Sequence, residues 1–236
     1  MAVDFDFNGA VALVTGASGA LGSEIASAFA DAGATVAAVD VIAPDADEAH
    51  LEPGAEYHFY EADLTDESAV ERVVASVIDD HDRLDHLCNI AGTWRGGSPI
   101  HETDEAEFDL VFDVNLKTMF LASKHAIPPL RDTEGTIVSV SARSSLEGGE
   151  GDGPYRASKA GVRLLTESIA AENRGTVRAN AILPSVIDTP MNREMIPDAD
   201  HDKWVDPAAI ARVVLLLSSD ASAVTSGAAV PVYGEA

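Results

Sequence analysis

Apolar runs rich in β-branched residues alternate with amphipathic stretches along the whole chain. The apolar runs predict seven strands, over residues 10–15, 35–40, 57–61, 84–90, 136–141, 177–183 and 228–232. The stretches between them predict five helices, over residues 21–32, 67–79, 105–126, 155–172 and 207–218. Strands that alternate with helices of this length are typical of βαβ units. The pattern therefore predicts an α/β fold, a doubly wound parallel sheet of about seven strands with helices on both faces.

Two segments that follow predicted strands, residues 93–103 and 185–205, show no regular pattern. Open α/β sheets bind their ligands at the carboxyl ends of the strands, which is where such segments lie. The second segment is about 20 residues long, and loops of that length in compact domains are usually functional or disordered. With 236 residues and no internal repeat, the chain is long enough for one domain with a sizeable core but too short for two.

Acidic residues outnumber basic ones by 40 to 15, which gives a formal net charge of −25. This balance argues against a partner such as nucleic acid or an anionic membrane, because few cations are available to neutralise phosphates. Self-repulsion at this charge destabilises a compact chain in dilute buffer, and molar salt screens most of it. The composition therefore favours a halophilic protein of a salt-rich cytoplasm, with an acidic mesophilic protein as the alternative.

No apolar run reaches the roughly 18 residues that a membrane span requires, and the first residues lack the layout of a signal peptide. The single cysteine, Cys88, excludes an internal disulfide, and its apolar surroundings predict a buried thiol. The histidines show no paired spacing typical of ligands, so we predict no metal site. These features favour a cytoplasmic protein.

A glycine-rich turn joins the first predicted strand to the first helix, with the sequence Thr15-Gly16-Ala17-Ser18-Gly19-Ala20-Leu21-Gly22. Glycines here let the backbone turn tightly and approach a pyrophosphate, which the helix N-terminus then stabilises. Asp40 ends the second predicted strand, where a carboxylate binds the ribose hydroxyls of adenosine and repels a 2′-phosphate. This Rossmann-type arrangement favours NAD(H) over NADP(H). A glycine turn alone is a weak signal, and Asp40 capping its strand is the alternative.

Asp63 follows the third predicted strand, in a position from which its carboxylate could reach an adenine amino group. The alternative is a structural role at the start of the next helix, which Thr65 and Asp66 would also suit.

Six motifs then follow one another along the chain: Thr15-Gly16 through Gly22, Asp63-Leu64, Asn89-Ile90-Ala91-Gly92, Asn115, Tyr155 with Lys159, and Pro184 followed by Asp188-Thr189-Pro190. In order and spacing they resemble the short-chain dehydrogenase/reductase family over essentially the whole chain, although Ile90 replaces the family's usual second asparagine. The resemblance implies one domain, residues 1–236, with a nucleotide-binding half at about 1–92 and a catalytic and substrate half at about 93–236. It adds to the expected cofactor contacts Leu64, Asn89, Ala91, Gly92, Lys159, Pro184, Ile187 and Thr189.

Tyr155 and Lys159 lie four residues apart on a predicted helix, so their side chains share a face. A phenol with an ordinary pKa near 10 is a poor proton donor at neutral pH unless a nearby cation stabilises the phenolate. Lys159 supplies that cation, and Tyr155 would then exchange the proton that accompanies hydride transfer. The resemblance implies that Asn115 completes a proton relay through its backbone carbonyl, whereas a buried structural amide is the alternative reading of the same residue.

The family's substrate-binding serine lies about thirteen residues before the tyrosine, and that position is Ala142 here. Ser141 and Ser144 flank it, and either could supply the missing hydroxyl. A lost hydrogen bond of this kind costs roughly 10²–10³ in rate where a carbonyl is the target.

The dihydropteridine reductase branch of the family also lacks this serine, and the segments around Asp40, Trp94 and Met191 resemble that branch as well. Asn115 departs from that branch. We therefore expect NAD(H)-dependent reduction of a planar, quinonoid dihydropterin-like substrate, with Trp94 stacked on the ring and Ala142 and Met191 near it. The alternatives are a dehydrogenase of a secondary alcohol, sugar or 3-oxoacyl substrate, and a non-catalytic NAD(H)-binding sensor or scaffold. The resemblance also implies a homodimer or homotetramer formed through the helices at 105–126 and 155–172.

Overall fold

The structure, a computed structural model, describes residues 4–51 and 57–235. Seven parallel strands form one sheet in the order β3-β2-β1-β4-β5-β6-β7. They are β1 (Val11–Thr15), β2 (Thr35–Asp40), β3 (Tyr57–Glu61), β4 (His86–Asn89), β5 (Thr136–Val140), β6 (Arg178–Pro184) and β7 (Ala229–Val232). The strand order reverses between β1 and β4, which creates the crevice at which doubly wound sheets bind ligands.

Two layers of helices cover the sheet. In chain order the helices are α1 (Ala20–Asp31), α2 (Glu67–His81), α3 (Glu105–Phe112), α4 (Thr118–Asp132), α5 (Gly153–Glu172), α6 (Pro190–Met195) and α7 (Pro207–Ser218). The apolar residues of α1 and α7 form one core with Ala12 and Val14 of β1. Those of α2, α4 and α5 form the other core with Val11 and Leu13. Alternate residues of one buried strand thus serve opposite faces, and the predicted fold is confirmed.

Two helical regions differ in detail from the sequence prediction. The helix expected over 105–126 is present, but a π turn at Asp113–Lys117 lies between α3 and α4, and the helix continues to Asp132. The 185–205 segment, expected to be irregular, contains the short helix α6. This helix begins where the Thr189 hydroxyl accepts a hydrogen bond from the Asn192 amide and Pro190 occupies the first turn, a favoured arrangement at a helix start.

Among the residues that the structure describes, no helix is both long enough and apolar enough to cross a membrane. Within the same ranges, no group of three or more His, Cys, Asp or Glu side chains is placed to hold a metal ion.

Candidate active site

The turn between β1 and α1 packs so tightly that two of its glycines cannot carry a side chain. Gly16 has a φ of +65°, and a Cβ there would lie 2.8 Å from the Cα of Ala91. A Cβ on Gly22 would lie 2.0 Å from the carbonyl oxygen of Gly16. Gly19, which precedes the first residue of α1, has an ordinary φ of −77°. The turn is therefore pressed against the segment after β4 at the switch in strand order, with Gly19 as its exposed residue.

Asp40 lies at the end of β2 directly beside this turn. Its carboxylate accepts hydrogen bonds from three backbone N–H groups, those of Ser18 at 2.9 Å, Val41 at 2.7 Å and Ile42 at 3.1 Å. The Ser18 hydroxyl donates to the carbonyl of Ile42 at 2.6 Å. A carboxylate has about four acceptor sites, so about one remains for a ribose hydroxyl. Residues 16–22 and 40–44 contain no lysine or arginine that would attract a phosphate. The residues present fit an adenosine ribose with free hydroxyls.

Asp63 binds its own neighbours. Its Oδ1 atom accepts hydrogen bonds from the amide and the hydroxyl of Thr65, at 2.9 and 2.7 Å, and the residue is exposed. Asp66 caps α2 by accepting a hydrogen bond from the Ser68 amide. Leu64 is buried in the core beneath α2. The capping alternative is thus confirmed for Asp66, while adenine binding by Asp63 stays a prediction.

Asn89 points into the protein interior. It is buried, and its Nδ2 atom lies 3.2 Å from the hydroxyls of both Ser123 on α4 and Ser139 on β5. The segment that follows is held by Thr15, whose hydroxyl accepts hydrogen bonds from the amides of Ile90 and Ala91. The side chain of Asn89 therefore ties β4 to its neighbours, and Ala91 and Gly92 are the residues of this motif next to the glycine turn.

Lys159 is buried beneath the end of β5. Its ammonium group donates a hydrogen bond to the carbonyl of Val140 at 3.0 Å. A Cβ on Gly92 would lie 3.0 Å from both the Lys159 Nζ atom and the Asn115 Oδ1 atom. Both polar groups thus lie against Gly92, and a side chain at this position would meet them. Burial lowers the pKa of Lys159 to about 8, because the charged form loses its hydration.

Asn115 occupies the middle of the π turn, a rare helix distortion that often marks functional sites. Its Oδ1 atom accepts a hydrogen bond from the Thr93 amide at 2.7 Å, and its Nδ2 atom donates to the Ser158 hydroxyl at 3.0 Å. Ser158 in turn donates to the backbone carbonyl of Tyr155. The side chain of Asn115 therefore connects the loop after β4 to α5, as a satisfied buried amide.

Tyr155 lies in the first turn of α5, one helical turn before Lys159. Burial is the largest influence on its phenol and raises the pKa to about 12. The Asp152 carboxylate raises this pKa further, and the Arg156 guanidinium lowers it. A phenol in this setting needs a nearby positive charge to exchange a proton at neutral pH.

The position of the missing serine is clear in the structure. Ala142 is buried just after β5 in extended conformation. The Ser141 hydroxyl is also buried, 2.7 Å from the Lys159 carbonyl and 3.1 Å from the Ser145 hydroxyl, so it braces α5 from within. Ser144 is partly exposed on a 3₁₀ turn over residues 143–146. Of the two candidate substitutes, Ser144 is the one with access to solvent.

The other predicted contacts lie on the loops after β4 and β6. Trp94 is 40 % exposed, and Met191, on α6, is 68 % exposed. Pro184 is the last residue of β6, and Ile187 is partly buried and bridges to Val205. Trp94 therefore has a free surface that a ligand could cover.

Sequence reasoning missed a second ring of residues around the site, which includes Thr93, Asp152, Arg156 and Ser158. The spacing of Asp152 and Arg156, four residues apart, is a signal that could have found that pair. The Thr93 amide offers no such signal, because its role depends on the fold.

A family model described as short chain dehydrogenase matches residues 10–200. The chain belongs to the short-chain dehydrogenase/reductase family. It is 33 % identical to a 3-oxoacyl-[acyl-carrier-protein] reductase of Thermotoga maritima, covering 96 % of this chain and 97 % of the relative. It is 32 % identical to a cyclopentanol dehydrogenase of a Comamonas species, covering 96 % of each. A solved aldohexose dehydrogenase of Thermoplasma acidophilum has a TM-score of 0.88 and 27 % identity, covering 97 % of this chain and 94 % of that one.

Membership in the short-chain dehydrogenase/reductase family establishes two things about this chain. It is an oxidoreductase, and it uses a nicotinamide cofactor. The relatives are named for an acyl thioester, a cyclic alcohol and a sugar. The relatives share a type of reaction, since all are named as dehydrogenases or reductases, but they are named for different substrates. The substrate of this chain must therefore be inferred from its own residues.

Proposed function

We propose that this short-chain dehydrogenase/reductase is an NAD(H)-dependent enzyme that interconverts a small secondary alcohol and its carbonyl compound. The observation that carries the proposal is the buried Lys159 ammonium, which lies beside Gly92 and Asn115 and one helical turn from Tyr155. A buried, desolvated lysine next to an acid/base candidate is typical of a catalytic centre. The relatives named for cyclopentanol, 3-oxoacyl and sugar substrates support the same class of reaction.

In the proposed mechanism Tyr155 holds the proton at the substrate oxygen. The bound nicotinamide ring supplies or accepts the hydride at the substrate carbon. In the reducing direction the phenol gives its proton to the carbonyl oxygen as the carbon receives the hydride, and oxidation reverses both transfers. The Lys159 ammonium, which is buried and donates a hydrogen bond to the Val140 carbonyl, stabilises the phenolate that forms, and the buried Asn115 side chain lies against the same glycine, Gly92.

The cofactor would lie across the glycine turn, with Asp40 at its adenosine end. A carboxylate at this position, with no basic residue on either adjoining segment, supports NAD(H) over NADP(H). The backbone of the turn would hold the pyrophosphate, and Lys159 and the β6 loop the nicotinamide end. We assign cofactor contacts to Gly16, Ser18, Gly19, Ala20, Leu21, Gly22, Asp40, Asp63, Leu64, Asn89, Ala91, Gly92, Lys159, Pro184, Ile187 and Thr189.

Ser144 is our candidate for the hydroxyl that binds the substrate oxygen, because Ser141 is buried and bonded to α5. A second candidate substrate is a planar quinonoid dihydropterin. It is favoured by Ala142, which removes the usual hydroxyl, and by the free surface of Trp94.

The first experiment follows NADH at 340 nm in molar KCl. Cyclopentanol, a sugar alcohol, a 3-oxoacyl thioester and a quinonoid dihydropterin are assayed in parallel, each with NAD(H) and NADP(H). The main proposal is supported if an alcohol or a 3-oxo compound is turned over and if the rate is lower in both the Tyr155→Phe and the Ser144→Ala variants. Turnover of the pterin alone, unaffected by Ser144→Ala, supports the second. Tight NADH binding without turnover of any of them would instead indicate a sensor or scaffold.

We also propose that the protein is halophilic and assembles with copies of itself. The net charge of −25 predicts a higher unfolding midpoint in molar KCl than in dilute buffer. Phe108 on α3, Phe120 on α4 and Leu164 on α5 are exposed, which supports a homodimer or homotetramer formed through these helices. Greater stability in dilute buffer, or a monomer by light scattering in molar KCl, would contradict these two points.

A further inference from the structure

Arg156, the residue after Tyr155, folds back beneath the loop that joins β5 to α5. Its Nε atom donates to the Asp152 carboxylate at 2.5 Å. Its Nη1 atom lies 3.3–3.5 Å from three carbonyl oxygens of this loop, those of Ser144, Glu147 and Gly148. One guanidinium thus bonds to both ends of the loop that carries Ser144.

The fit between the guanidinium and this loop is close. A Cβ on Gly149 would lie 2.2 Å from the Arg156 Cζ atom, so the loop backbone rests against the planar group. The Arg156 and Asp152 side chains are only 22 % and 16 % exposed. Exposed ion pairs contribute little to stability or geometry, but a partly buried pair with further hydrogen bonds fixes its surroundings more firmly.

The pinned loop also contacts the loop after β4. The Gly97 amide donates to the Gly151 carbonyl at 2.7 Å, and a Cβ on Gly96 would lie 2.9 Å from the same oxygen. That second loop carries Trp94. A displacement of residues 144–151 would therefore move the loop that carries Ser144 and the loop that carries Trp94 together.

We propose that Arg156 is a positioning residue, which with Asp152 holds the β5–α5 loop, and through it the Trp94 loop, in place beside Tyr155. The consequence for substrate rests on the proposed function, whereas the pinning of the two loops does not. Holding reacting groups in position is worth large factors, since a displacement of about 1 Å can cost a hundredfold in rate.

The pair also places opposite charges near the phenol. Asp152 raises the pKa of Tyr155 and Arg156 lowers it, and Lys159 lies one turn further along α5. Elements packed against α5 carry the other charged side chains of this region, at Arg143, Glu105, Glu107, Asp109, Asp113 and Lys117. Asp152 and Arg156 are the two charged side chains of this region whose charges shift the pKa of Tyr155 in the structure described. Neutralising Asp152 should therefore lower the pKa of the Tyr155 phenol, whereas neutralising Arg156 should raise it.

The first test needs no substrate. The chain has two tryptophans, so Trp204→Phe leaves Trp94 as the sole reporter of its loop. In that background, Arg156→Met should raise the acrylamide quenching constant of Trp94 about twofold, and Arg156→Lys should do so less because it keeps the charge but not the planar fork. The control is Arg163→Met, which breaks a pair of the same spacing on the same helix, 2.7 Å from Glu167 and with a similar side-chain exposure of 24 %. Equal quenching in the Arg156→Met and Arg163→Met proteins would overturn the proposal.

The second test uses the pH profile of cyclopentanol oxidation with NAD⁺. Arg156→Met should lower kcat/KM about tenfold to a hundredfold with the NADH dissociation constant unchanged, and should move the rising limb of the profile to higher pH. Asp152→Asn should move that limb to lower pH. The expected shifts are opposite in the two variants, and a general loss of structure would not produce opposite shifts. Shifts in the same direction in both variants would therefore overturn the proposal. If wild-type protein oxidises no alcohol but the quenching difference is present, the proposed function fails and the pinning of the loops stands.

Discussion

The nucleotide end and the reacting end of the crevice differ in the groups that form them. At the nucleotide end the contacts are made by main chain: glycines that admit no Cβ, and amides that orient Asp40. At the reacting end they are made by buried side chains, with Lys159 against Val140 and Asn115 linked to Thr93. The first end should respond to changes in residue size and the second to changes in charge, and this difference can be measured.

The largest expected effect is at the reacting end. Lys159→Met removes the cation while keeping much of the side-chain volume, so kcat should fall by roughly 10²–10⁴ because the phenolate loses its stabilising charge. The assay is NADH formation at 340 nm, and the matched control is Lys124→Met, an exposed lysine on α4 that pairs with Glu67. A loss below tenfold would remove Lys159 from the proposed mechanism.

The same substitution should change how stability depends on pH. Burial lowers the pKa of Lys159 to about 8 in the folded chain, from the ordinary lysine value of about 10.5 that applies to the unfolded chain. Between these values the unfolded state binds more protons, so a rise in pH favours the folded state by about 3 kcal/mol in total. The wild-type protein should therefore gain stability relative to Lys159→Met over this window in urea titrations. A difference that does not vary with pH would mean that the ammonium is well solvated.

At the nucleotide end the expected response is to size. Gly22→Ala places a Cβ 2.0 Å from the Gly16 carbonyl, so the turn must move, at a cost of about 1–3 kcal/mol and with weaker NADH binding. Gly148→Ala is the control, because a Cβ at Gly148 meets no atom within 4 Å. Thermal unfolding and NADH fluorescence titration measure both effects. Equal behaviour of the two variants would contradict the close packing of the turn.

The smallest expected effect concerns cofactor choice. Asp40→Ser combined with Val41→Arg removes the carboxylate and supplies a cation for a 2′-phosphate. The ratio of kcat/KM for NAD(H) over NADP(H) should fall about tenfold or more. An unchanged ratio would show that other residues select the cofactor. This double substitution changes the charge at the nucleotide end, which we otherwise expect to respond to residue size. It therefore also tests how far the difference between the two ends holds.

The sequence predicted the nucleotide end better than the reacting end for a physical reason. Tight turns and strand ends leave local signals, so the positions of Gly16, Gly22 and Asp40 follow from their neighbours in the chain. The π turn at Asn115, whose amide donates a hydrogen bond to Ser158 on α5, interrupts a helical pattern that runs on without a break in the sequence. The inward orientation of Asn89 and the bracing role of Ser141 depend likewise on contacts 18 to 50 residues away. Such contacts leave no local pattern.

The buried thiol offers an experimental opening. Cys88 is the only cysteine of the chain, it lies fully buried in β4, and burial raises its pKa, so it should stay protonated and unreactive toward maleimides. A cysteine introduced at an exposed loop position such as Glu147 would then be the sole site of attachment for a spin label or dye. The wild-type background needs no prior removal of thiols, and a second introduced cysteine on the opposite side of the crevice would make spectroscopic distances across it accessible.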